Sequence, residues 1–415
     1  MKKIAVVVAV TCLGFASPAY ATNGMRMIGF GPVQDSMGGA SVAAPLDATV
    51  LVTNPAGMTA VSPRFDLSGT AFAPTVKYSA TGMASGQTMT SDRPVDLIPT
   101  LATVYRVADK LTLGFAALGT AGMGVDYKTD LYGSKTYTSY QNMRFAPAAA
   151  YKVTDQLSVG VAANLAYALM KYEVASGATS MNMQPRDTQG ALGIGATLGA
   201  TYAITPAATV AVAYETRTKF QDFEWNIPAH TLYFPDGTGG VNAVSVPGGK
   251  EKLSFDQPDV ATIGGAYRVI PALLVAADVE LIRWSTTNGK DMPKFATDPN
   301  MTGAQTWNMN WSDQVVVKAG AEYAATKELK LRAGYNYGQS PLDKTRAFEN
   351  VSFPAIAQHH VTAGVGYDVG HVSLAAAVVY SPEASLTGSN MAQGVASYET
   401  KMSQLAFDLG ATYRF

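Results

Sequence analysis

From Arg64 onward the chain repeats a pattern of period two, in segments of about ten residues where apolar side chains alternate with small or polar ones. Between Leu157 and Leu169, the residues Leu157, Val159, Val161, Leu165, Tyr167 and Leu169 share one face, and Gly160, Ala162, Asn164, Ala166 and Ala168 share the other. Successive side chains of a strand point to opposite sides, so the pattern predicts β-structure with one greasy face. Strands of a soluble sandwich are shorter, and their solvent face usually carries Lys and Glu. Here the second face is nearly uncharged, and the segments are long enough to cross a bilayer when tilted.

The segments are joined by two kinds of connection. A unit made of a Tyr, a short turn and the start of the next segment begins at Tyr105, Tyr151, Tyr202, Tyr267, Tyr323 and Tyr367. Long polar stretches containing Gly and Pro lie between these hairpins, among them 120–142, 175–188, 221–251 and 339–358. Short turns on one side and long loops on the other are the asymmetry of an outer-membrane barrel. Six hairpins make twelve strands, and a first strand near Arg64–Tyr78 with a last at Gln404–Phe415 makes fourteen. The fold class expected is all-β, a fourteen-stranded antiparallel transmembrane barrel in which the repeated tyrosines form a girdle at the periplasmic interface. An even number of strands closes antiparallel and leaves no edge in hydrocarbon.

Composition narrows the picture further. Only 15% of the 415 residues are charged, and 30 Lys+Arg balance 31 Asp+Glu, which gives no basic field for nucleic acid. Residues 1–21 read as a secretory signal peptide: Lys2 and Lys3, an apolar run from Ile4 to Ala16, and a small-x-small site ending at Ala21. The single cysteine, Cys12, falls inside that leader, so disulfides, thiolate metal sites and cysteine nucleophiles drop out. His230, His359, His360 and His371 stand beside no recognisable nucleophile or dyad. No enzyme activity, cofactor or metal is expected.

Residues 22–63 do not alternate and are rich in Gly, Ala and Met. They are too few to fold alone but suited to filling a barrel lumen, leaving 64–415 as the barrel. Asn23-Gly24, Gly29-Phe30-Gly31-Pro32, Met37-Gly38-Gly39-Ala40 and Asn54-Pro55-Ala56-Gly57-Met58, followed by strands ending in Tyr413-Arg414-Phe415, resemble the FadL/TodX-type outer-membrane transporters of hydrophobic compounds. The resemblance spans essentially the whole mature chain. It implies a small N-terminal hatch of short helices, including Asn54, Pro55, Ala56 and Gly57, inside a monomeric barrel surrounded by outer-membrane lipid. It also implies passive uptake of long-chain fatty acids or similar hydrophobic molecules, and lateral exit through an inward kink of the third strand. The terminal Phe415 is the expected signal to the barrel-assembly machinery.

The third strand starts at Leu111 and carries Gly119, Gly122 and Gly124, which weaken a strand and mark a bend. By position they match the family's kink. In the long loop after the seventh strand, Phe220, Phe223, Trp225, Tyr233 and Phe234 crowd together, which suggests a surface site for an apolar ligand. The resemblance makes this loop one wall of an outer capture groove, although 175–188 is short for the other wall. Alternation places several charges toward the lumen, where charge is cheapest. Of these Arg217, Lys318 and Arg332 are the candidates to meet a fatty-acid carboxylate. The rival reading is a general diffusion porin for small polar solutes, against which the Met-rich N-terminal segment argues.

Overall fold

The computed structural model describes residues 23–82, 85–128, 135–173, 186–235, 241–289, 295–297, 309–390 and 395–415. Fourteen strands form one closed antiparallel barrel. In chain order they are β1 Arg64–Gly82, β2 Asp96–Ala108, β3 Leu111–Met123, β4 Thr136–Lys152, β5 Leu157–Glu173, β6 Arg186–Thr205 and β7 Ala208–Glu215. The second half comprises β8 Val260–Ile270, β9 Leu273–Ile282, β10 Gln314–Ala324, β11 Leu329–Gly338, β12 His359–Val369, β13 Val372–Asn390 and β14 Val395–Arg414. Each pairs with its sequence neighbours, and β1 closes on β14 from Arg64↔Arg414 to Gly82↔Val395. Closure gives every strand two partners, which hydrocarbon demands because it cannot hydrogen-bond to an exposed edge.

The period of two decides what faces lipid. On β5, Val159, Val161, Leu165 and Tyr167 are exposed while Ala162, Asn164, Ala166 and Ala168 are buried. Tyr105, Tyr151, Tyr202, Tyr267, Tyr323, Tyr367 and Tyr413 lie on the outer face near the short turns, each 43–56% exposed, with Phe415 beside them. Amphipathic rings at this level anchor the barrel between hydrocarbon and headgroups.

The N-terminal segment sits inside. Its regular elements are short: α1 Pro32–Ser36, α2 Val50–Thr53 and a 3-10 turn over Pro55–Ala60. Asn54, fully buried, holds the corner between the last two. Its side-chain oxygen accepts from the Ala56 N–H at 3.1 Å, and its Nδ2 donates to the Val42 carbonyl at 2.9 Å and to Ala200 on β6 at 3.4 Å. The fit against the wall is close. A Cβ at Gly199 would stand 1.9 Å from the Asn54 side-chain oxygen, and one at Gly160 would strike Pro55 and Ala56. Gly39, at φ +80°, lets the hatch turn where a Cβ would stand 1.9 Å from the Ile28 carbonyl. Val50, Leu51, Val52 and Met58 pack against Ala102, Ala116, Ala146 and Ala162, small wall residues that make room for the plug.

Two hatch carboxyls are buried in this packing. Burial, reinforced by Asp408 and Asp47, holds Asp35 well above the usual carboxylate range. Asp47 is pushed up to about 6 by burial and by the neighbouring Asp66.

Removing the Asn54 amide breaks a cap and a buried hydrogen bond, each worth about 1 kcal/mol. Asn54→Ala is therefore expected to speed amide exchange across the hatch by roughly tenfold or more. The barrel should keep its resistance to heat in detergent gels. A mass-resolved exchange experiment with a heated and unheated gel pair checks both halves.

Candidate functional site: a wall opening and a charged lumen

The wall is incomplete between β2 and β3. Their ladder ends at Thr100↔Leu118, after which β2 continues to Asp96 paired with β1 alone. The next β2 residue, Pro99, has no N–H to give, and proline is confined to positions where a strand has become an edge. β3 follows β4 instead, through a bulge between Gly119 and Ala121. From Leu118 to Tyr127 every residue is buried, so alternation is lost and this stretch has left the wall for the interior. Contact with the β2 side resumes higher up, where the Asp92 N–H reaches the Asp126 carbonyl at 2.8 Å and the Asp126 N–H reaches Ser91 Oγ at 3.0 Å. The result is a gap in the hydrogen-bond ladder, the candidate window, bounded above and below by backbone contacts.

The edge that β3 exposes inside is covered by the start of the hatch. Met27 N–H donates to the Thr120 carbonyl at 3.2 Å, Gly122 N–H donates to the Met25 carbonyl at 3.0 Å, and Arg26 bridges Ala121. Residues Asn23–Met27 thus act as a strap that takes the place of β2. The three glycines serve different contacts. Gly119 lies where a Cβ would meet Ile98 Cγ2 at 2.7 Å, Gly122 bonds the strap, and Gly124 passes β4 so closely that a Cβ would stand 2.1 Å from the Thr138 carbonyl oxygen.

Arg26 anchors the strap across the lumen. Its two terminal nitrogens donate to Glu215 of β7 at 3.2 and 2.9 Å, and Arg144 of β4 binds the same carboxylate. Two guanidinium groups thus share one carboxylate, in a cluster that also holds Lys318, Glu280 and Asp278. Arg144 is 1% exposed, and its Nε and Nη1, together with the Asn142 amide, have no hydrogen-bond partner among the described residues. Neighbouring charges are settled: Lys318 pairs with Glu280 at 3.0 Å, Arg332 with Glu322 at 2.8 Å, and Asp278 accepts the N–H groups of Ser41 and Val42.

A family model described as outer membrane protein transport protein (OMPP1/FadL/TodX) matches residues 17–415. The chain belongs to this family. As a member of the OMPP1/FadL/TodX family it is an outer-membrane transport channel for hydrophobic compounds and not an enzyme. Outer membrane protein P1 of Haemophilus influenzae is 24% identical over 372 residues, covering 78% of this chain and 76% of that one. In fold, the chain is similar to the Pseudomonas putida toluene transporter TodX, with TM-score 0.73 at 19% identity over 94% of this chain and 99% of that one. It is also similar to a Pseudomonas aeruginosa FadL homologue, with TM-score 0.75 at 15% identity over 94% and 100%.

Against this OMPP1/FadL/TodX background, two placements read from the sequence need correction. Arg217 does not face the lumen. The β6 register shifts by one residue between Thr197↔Glu215 and Ile194↔Lys219, and the extra residue turns Arg217 outward, 40% exposed and 4.0 Å from Asp256. Nor do Phe220, Phe223 and Trp225 form an exposed patch, because all three are buried in the extracellular mouth. Trp225 meets Tyr172 edge-on at 5.1 Å, and its indole N–H donates to the Asp187 carbonyl at 2.6 Å. The side chains of Tyr233 and Phe234, and most of 175–188, lie outside the described residues.

The mouth has a contributor that the sequence reading missed. The loop between β11 and β12 folds inward, burying Phe348, Phe353, Ala355, Ile356 and Ala357. Phe353 lies 6.0 Å from Phe255, and the Ser352 carbonyl accepts from Thr138 Oγ1 at 2.7 Å. The apolar run Phe353-Pro354-Ala355-Ile356-Ala357, out of place in a polar loop, was the signal. Arg144 was legible as well, since Tyr140, Asn142 and Arg144 share a parity opposite to lipid-facing Phe145.

Removing the shared carboxylate would strand two buried cations, a loss of about 3–5 kcal/mol in comparable cases. Glu215→Gln is expected to free the strap while leaving the barrel closed. Amide exchange at Met27 and Gly122 should rise at least a hundredfold relative to β12–β14, whose rates should not change.

Proposed function

We propose that this chain takes up long-chain fatty acids or similar hydrophobic molecules passively and releases them sideways through the window between β2 and β3. The observation that carries this reading is the departure of β3 from β2 after Leu118. A ladder broken there is where a passage from lumen to bilayer would form, and the strap satisfies the backbone of β3 beside it. The way straight down is unfavourable for an acyl chain. Beneath the hatch lies a cavity of about 300 Å³ lined by Arg106, Asp109, Lys110, Lys152 and Asp155. Leaving an apolar site for such surroundings costs ~0.8 kcal/mol per methylene, whereas sideways exit costs nothing of the kind.

The acidic head of the ligand has a matching group in Arg144. Lys318 is already held by a carboxylate and Arg217 is outside, whereas Arg332 keeps one unused donor, Nη1, beside its bond to Glu322 and Arg144 keeps two, Nε and Nη1, so Arg144 has the greater capacity for a carboxylate. A carboxylate there would accept the two unused donors of Arg144. The porin reading gains no support. The cavity between hatch and wall at mid-depth, lined by Arg26, Phe30, Val42, Glu215 and Lys318, is only about 30 Å³. Such a space suits a water molecule and not a stream of solute.

Uptake of a labelled long-chain fatty acid by cells expressing Gly122→Phe should fall at least tenfold with the heat-resistant barrel still present in the membrane. Undiminished uptake would count against the lateral exit. Arg144→Gln should reduce fatty-acid uptake while sparing an alkane of equal length, and equal loss of both would remove the carboxylate assignment. In planar bilayers the parent protein should conduct little. A large steady current would restore the porin.

A further inference from the structure

Where β3 turns inward, Arg93, in the segment leading into β2, reaches across the vacated space to β4, donating from Nη1 to the Thr138 carbonyl at 2.9 Å. Its guanidinium carbon lies 5.6 Å from the centre of the Tyr137 ring. Two more cations converge on that ring, Lys135 Nζ at 5.1 Å and Lys171 Nζ at 5.5 Å. One ring attracts a cation, but three cations brought to the same ring repel one another. The carboxylates at hand are Glu173, 3.4 Å from Lys135, and Asp96, 3.8 Å from Arg93, while Lys171 has no ion-pair partner among the described residues. Lys128, nearby, is occupied by Asp92 and Asp126. The Arg93 side chain is 2% exposed, yet its Nε and Nη2 have no hydrogen-bond partner among the described residues.

The position of this group in the membrane follows from register. Tyr137 pairs with Glu173 and Ser139 with Lys171, in unbroken register with Phe145↔Leu165. Phe145 and Leu165 face lipid, so by parity Tyr137, Lys171 and Glu173 point to the same outer side. From the girdle residue Tyr151 up to Ser139 is about 40 Å of strand, or about 30 Å along the membrane normal at the usual tilt. The apolar band of such barrels is ~25 Å tall. The cations therefore stand just beyond the hydrocarbon on the side of the long loops, where the outer leaflet carries its headgroups.

We propose that Lys135 and Lys171, gathered with the buried Arg93 on the ring of Tyr137 where β3 leaves β2, bind the phosphate of an outer-leaflet glycolipid. A phosphate supplies acceptor oxygens and a counter-charge to Lys171, which no carboxylate among the described residues holds, and its acyl chains would lie along the apolar wall below. The lipid would stand beside the opening and cover its extracellular end. A free anion would meet the same cations but would gain nothing from the wall.

The test uses the purified full-length protein in detergent and three probes: an acylated glucosamine disaccharide carrying two phosphates, the same lipid with both phosphates removed, and inorganic phosphate. Native mass spectrometry should show the phosphorylated lipid bound to the parent protein. The double variant Lys135→Gln/Lys171→Gln, verified as folded by its heat-resistant gel form, should bind it at least tenfold more weakly. Equal binding by parent and variant overturns the proposal. So does equally tight binding of the dephosphorylated lipid, and so does displacement of the lipid by micromolar inorganic phosphate, which would mark a simple anion site.

Discussion

Hydrocarbon offers no partner to a peptide group, and this constraint governs the molecule from end to end. Thirteen of the fourteen neighbouring strand pairs meet it by unbroken pairing or local bulges, and the closing contact of β1 with β14 runs the length of both strands. The exception lies between β2 and β3. A breach there would leave backbone groups facing lipid or lumen, each costing several kcal/mol if unmet. The strap formed by Asn23–Met27 meets those of β3 from within, and Pro99 removes one donor from β2 at the point where its partner departs. The opening is thus a repaired defect, stable because the plug of the barrel doubles as a strand.

The lumen follows a related logic. Charges inside a barrel are tolerable when they are matched, and most here are matched between hatch and wall or across neighbouring strands. Besides its apolar packing on the wall, the hatch is held by specific polar ties: Asn54 at its corner, Asp278 on its backbone and Glu215 on Arg26. Such ties are directional and break one at a time. The matching stops short at Arg144, which keeps unused donors, and at Asp35, which lies beside Asp408.

How much of this could be read from residues alone depended on the range over which each feature is determined. Strand number, lipid-facing parity and the tyrosine girdle rest on spacings within a single hairpin, and all are present in the sequence as written. The three glycines of β3 were legible as a bend because glycine acts locally, although the strap that stabilises the bend comes from about a hundred residues away. Arg217 was misplaced because one extra residue in a bulge inverts parity, and nothing near Thr216 announces it. Phe220, Phe223 and Trp225 were read as exposed because their loop is polar and long. Their burial depends on Tyr172, Phe255 and Phe353 converging from three other parts of the chain.

The enclosure of the hatch also constrains how the molecule comes into being. Asn23–Met27 lies deep in the lumen, walled in by strands that include the last to be synthesised, and β14 must pair with β1 to complete that wall. The described strands enclose the hatch, with its short helices and buried carboxyls, in a closed wall. The N-terminal segment therefore has to be in place when the final seam zips shut, so that the seam wraps around it. Assembly is in this sense an act of capture, with the first part of the chain to emerge serving as the template around which the last part closes.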